Sequence, residues 1–69
     1  MPISGRRAIK ILQKNGFLVV RQKGSHVVLA KQSSKGKITA VVPVHKELAK
    51  GTLKSIAIQS GVDPKELGI

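Results

Sequence analysis

The chain has no cysteine, no tryptophan and no tyrosine, and its one aromatic residue is Phe17. Without cysteine, neither a disulfide nor a thiolate metal site can brace the fold, which suits a reducing, cytoplasmic setting. Without a set of rings, the chain lacks the stacking platform on which many single-strand binders lay their bases. Apolar runs are short. Val27 to Ala30 and Ala40 to Val44 are examples, and neither could cross a bilayer. The N-terminus lacks the apolar core of a signal peptide. Acid is scarce too: there are three carboxylates, and none precedes Glu47.

What the chain does have is positive charge. Thirteen lysines and arginines against three acids give a formal net charge of +10. Arg6, Arg7, Lys10, Lys14, Arg21, Lys23, Lys31, Lys35, Lys37 and Lys46 all lie ahead of the first acid. Such a surface repels itself and attracts polyanions, foremost nucleic acid. A helix lying on anionic lipid would pair its bases with bulky aromatics, so a membrane partner is not expected. With 69 residues, the chain makes a single domain (1–69), and a domain of that size buries about 60% of its unfolded surface.

Ser4 predicts an N-cap and residues 5–15 a helix, with Ala8, Ile9 and Leu12 on one face. Gly16 fits a left-handed helix end on which Phe17 folds back. Three strand-like runs follow: Phe17 to Lys23, Ser25 to Lys31 and Lys37 to Val44. Gly24 makes the first turn, and the polar stretch Gln32 to Gly36 a hairpin loop. The short connections predict an antiparallel meander. Thr52 is expected to cap a second helix running to Ser60, with Leu53, Ile56 and Ala57 inward. Asp63-Pro64-Lys65-Glu66 reads as one more helix start. The order α-β-β-β-α is an α+β fold: a three-stranded antiparallel sheet packed by helices. If the helices cover one sheet face, the other exposes small apolar residues and becomes a surface for a partner.

Few residues could carry chemistry. The two histidines are far apart and have no cluster of acids beside them, so no metal site is predicted. Glu47, Asp63 and Glu66 stand where surface or helix-start roles explain them. The remaining candidate is Arg21-Gln22-Lys23-Gly24-Ser25-His26. An imidazole can move protons near neutral pH. RNA cleavage without a metal or other cofactor needs that ability, because the RNA supplies its own 2′-hydroxyl nucleophile. Arg21 and Lys23 are placed to neutralise charge on the phosphate, and Gly24 lets a phosphate approach the backbone. From the pattern alone, a histidine that starts a strand and hydrogen-bonds a neighbour is the commoner case. His45, with Lys46 after it, fits a phosphate contact, an acid–base partner or a loop residue.

The strings Gly16-Phe17, Val20-Arg21-Gln22-Lys23-Gly24-Ser25-His26, Val42-Pro43-Val44-His45 and Lys50-Gly51-Thr52-Leu53-Lys54-Ser55-Ile56, then Gly61, resemble the HicA-type mRNA interferase toxins. The resemblance runs through nearly the whole chain in the right order. It implies a fold like the double-stranded RNA-binding domain, cleavage of messenger RNA without a metal, and inhibition by a HicB-like antitoxin. The family's catalytic histidine follows the Gly-Ser pair, which here makes His26 catalytic, with Gly24 and Ser25 shaping its turn. A non-catalytic RNA-binding module of the same fold is the rival reading, since the charge fits both.

Overall fold

The computed structural model describes residues 3–69. Helix α1 (Gly5–Lys14) begins where Ser4 predicts: its hydroxyl accepts from the Arg7 N–H at 3.1 Å. Ala8 and Leu12 are buried; Ile9 is half-buried beside them. The helix stops in a Schellman motif. The Phe17 N–H donates to the Leu12 carbonyl and the Gly16 N–H to that of Gln13, both at 3.0 Å. Gly16 supplies the left-handed φ of 93° this requires. The motif also puts Phe17 onto Leu12, two of the largest fully buried side chains.

Strands β1 (Leu18–Lys23), β2 (His26–Ser33) and β3 (Gly36–Pro43) form one antiparallel sheet in the order β1-β2-β3. The second hairpin is tighter than the polar stretch suggested. Its turn is only Ser34-Lys35, because the Ser33 hydroxyl accepts from the Lys35 N–H and donates to the Gly36 carbonyl at 2.8 Å.

Helix α2 (Lys50–Ser60) differs from expectation at its start. Thr52 is not the cap and lies inside the first turn. The buried Leu48 is anchored by its N–H to the Ile3 carbonyl at 2.8 Å, so the helix begins just beyond it. Ala49 takes the cap position, φ −63° and ψ 153°, and offers no side-chain acceptor. Leu53, Ile56 and Ala57 point inward as expected, and Gly61 closes the helix. Ser60, also buried, donates its hydroxyl to the Ile56 carbonyl at 2.7 Å. The last element is a short 3-10 helix, Pro64–Leu67, capped by Asp63 through the Lys65 N–H at 2.9 Å. Glu66 accepts from the Asn15 side-chain amide at 3.2 Å, which ties this element to the end of α1.

Both helices pack on the same sheet face. Val27 and Leu29 of β2 and Ala40 and Val42 of β3 join Leu12, Phe17, Ile56 and Leu67 in one core. Each such large side chain contributes about 1.5–3 kcal/mol by leaving water. The opposite face is open, with Val28 and Ala30 half-buried and Val41 exposed at its middle. No helix among the described residues is long and apolar enough to cross a membrane.

One irregularity decides what the open face carries. Val19 pairs with Leu29 and Arg21 with Val28, so Val20 is an extra residue in β1, a β-bulge. In a regular strand, Arg21 and Lys23 would share the face of Val19, towards the helices. The bulge turns both onto the open face.

Candidate nucleic-acid interface

Lys23 pairs with His26 across the two-residue turn Gly24-Ser25. Gly24 has φ 59°, and no residue other than glycine has a positive φ among those described. These are the signs of a type II′ turn, which calls for glycine at the first central position. The Gln22 amide donates to the Gly24 carbonyl at 3.0 Å and clamps the turn from behind. His26 is therefore the first residue of β2, exposed, with Lys23 beside it on one strand and Pro43 on the other. Arg21, two places along, pairs with Val28. The pleat puts Arg21, Lys23 and His26 on the same open face.

Of the other residues singled out in the sequence, Ser25 contributes its backbone, with its carbonyl accepting from the Val44 N–H at 2.6 Å. His45 accepts through its carbonyl from the Gly5 N–H at 2.8 Å, while its ring is exposed. The segment Val44-His45-Lys46 is thus a strap joining the hairpin turn to the start of α1. His45 and Lys46 line a hollow with Ser4, Arg6 and Val44, and His26 does not border it. The expected residues fall into two groups: Arg21, Lys23 and His26 on the sheet face, His45 and Lys46 around the end of the molecule. Neither imidazole takes part in a hydrogen bond among the described residues. No group of three His, Asp or Glu among them could hold a metal ion.

Three features went unread in the sequence. Gly5 is buried where α1 meets the strap; a Cβ there would run into the Pro43 carbonyl oxygen and come within 2.9 Å of the Val44 Cα. Gln22 was only one letter of a longer string, yet it holds the turn. Between α1 and β1 lies a second hollow of about 310 Å³, with a floor of Ile9, Val27 and Val44 and a rim of Arg6, Lys10, Gln13 and Gln22. The helical spacing of Arg6, Lys10 and Gln13 was a visible sign of that rim.

Comparison with known proteins gives one family: the model described as "HicA toxin of bacterial toxin-antitoxin" matches residues 5–62 of the 69. No curated protein matches the chain. The matched span takes in α1, the whole sheet, the strap and α2.

Proposed function

Because the chain belongs to the HicA toxin family of bacterial toxin–antitoxin systems, we propose that it is an endoribonuclease that cuts messenger RNA without a metal, with His26 as its general acid or base. The observation that carries this reading is the presentation of His26: exposed at the start of β2, held by a clamped II′ turn, with Lys23 and Arg21 on the same face.

The chemistry asks little else of the protein. The RNA 2′-oxygen attacks the neighbouring phosphorus, and the bond from phosphorus to the 5′-oxygen breaks. One proton leaves the 2′-oxygen and one is delivered to the 5′-oxygen, leaving a cyclic phosphate. His26 carries one of those protons, a contribution of about 10²–10⁴ in rate. Lys23 and Arg21 offset the charge that builds on the phosphate. Gly24 and Ser25 let the backbone come close, and His45 and Lys46 hold the strand as it passes the strap. The site of action is the cytoplasm, where the message is. An acidic, HicB-like antitoxin fits the +10 chain and would silence it by covering His26 or these cations.

The test is cleavage of a defined single-stranded RNA in EDTA by wild type and His26→Ala, with RNA binding measured on the same samples. Wild type should cut, while the variant should bind and lose cleavage by at least about a hundredfold. If both bind and neither cuts any of several RNAs, the non-catalytic binding module takes the place of the nuclease.

A further inference from the structure

The hollow between α1 and β1 plays no part in the reaction above, yet it is built like a site. Its volume of about 310 Å³ is near the lower end of the roughly 300–1,000 Å³ typical of small-molecule pockets. The floor of Ile9, Val27 and Val44 is apolar, and the rim carries two cations and two amides. That combination matches a nucleotide: an apolar base face, a polar base edge and a phosphate on either side. Glutamine amides are suited to base edges because each offers a donor and an acceptor. The Gln22 nitrogen is engaged with the Gly24 carbonyl, which leaves its oxygen to accept from a base amine. The Gln13 side chain is exposed and makes no hydrogen bond among the described residues.

We propose that this hollow is a subsite for one unstacked nucleobase of the RNA strand, with Gln13 and Gln22 on the base edge and Arg6 and Lys10 on the flanking phosphates. The proposal rests on the reading of the protein as one that engages RNA.

Its position constrains the substrate further. Val27 forms part of the floor, while its chain neighbour His26 stands on the opposite sheet face; Gln22 and Lys23 are divided in the same way. A strand that reaches both must turn around the hairpin end or the free edge of β1. The whole molecule measures only 33 × 27 × 18 Å, whereas a nucleic-acid duplex is stiff over hundreds of ångströms (about 500 Å for DNA). The RNA is therefore single-stranded where it crosses. Gln22 links the two sites, because the residue that meets the base also clamps the turn that presents His26.

The experiment uses 2′-O-methyl pentanucleotides, which lack the nucleophile and are not cut. Each of the four homopolymers and an abasic backbone of the same length is titrated against the full chain by fluorescence anisotropy. Wild type should bind its preferred base at least tenfold more tightly than the abasic backbone, and the four bases should differ. Gln13→Ala should shrink the spread among bases several-fold and leave abasic binding unchanged. Equal binding of base-bearing and abasic strands, or of all four bases, overturns the proposal; so does a Gln13→Ala variant that keeps the wild-type order and spread. Since nothing is cut here, base selectivity without cleavage of natural RNA would remove the nuclease and keep the subsite. Cleavage without base selectivity would remove only the subsite.

Discussion

Gly5 shows how much a single missing methyl can matter. Its backbone approaches Pro43 and Val44 so closely that alanine must push the strap or α1 aside. Overpacking of this kind costs about 1–3 kcal/mol. For a domain of this size, each kcal/mol lowers Tm by roughly 4–8 °C. Gly51 is the matched control: it sits in the first turn of α2, and a methyl added there would meet nothing within 4 Å. Thermal unfolding should show Gly5→Ala well below wild type and Gly51→Ala equal to it or stabilised by up to about 1 kcal/mol. An unchanged Tm for Gly5→Ala would mean that the two segments are not in contact. Gly24 was legible as a turn because a glycine between strand-like runs has few other uses, whereas Ser25, read as the first residue of the next strand, belongs to the turn. Gly5 was not, since its reason stands at Pro43, far along the chain. Its sequence context is that of any residue after an N-cap.

Among the elements, α1 was readable at both ends because Ser4 and Gly16 are local signals that tertiary contacts did not override. At α2 a tertiary anchor prevailed. Leu48 and its bond to Ile3 start the helix at a residue with nothing to cap it. Ala49→Ser supplies the missing acceptor and should add about 0.5–1 kcal/mol, measured as a rise in the denaturant midpoint. An unchanged midpoint would place the helix start elsewhere, at Thr52 for instance. The bulge at Val20 was invisible: Phe17 to Lys23 reads as one unbroken strand, and only the pairing with β2 reveals the extra residue. Alternation counted along the letters would have sent Arg21 and Lys23 to the wrong side of the sheet. Grouping them with His26 by closeness in sequence therefore gave the right neighbours without the reason for it.

For the whole molecule, charge is the property that was plainest in the sequence, and the fold sorts it. Arg21 and Lys23 share the sheet face, Lys46 stands on the strap, and Arg6 and Lys10 border the hollow. If each of these five meets one phosphate of a single strand, log K should fall with log salt at a slope near −3.5, about −0.7 per contact. Arg6→Gln should make that slope shallower by about 0.7, and the loss should be the same for every RNA sequence. Anisotropy titrations over a range of salt would decide it; a slope near zero would mean that the cations do not touch the backbone.

The two bonds of the strap, Gly5 to His45 and Ser25 to Val44, also decide how late in synthesis this end of the fold can close. During translation α1 is made first, but Pro43 and Val44, against which its first residue packs, come some forty positions later. A ten-residue helix on its own is at best marginal in water. Until Pro43 to Lys46 has left the ribosome, the first turn of α1 lacks the contacts that seat it, and the strap and the turn remain unconnected pieces. A growing chain therefore closes this end of its fold late in synthesis, and on the function proposed above it could cut no message, its own included, until then.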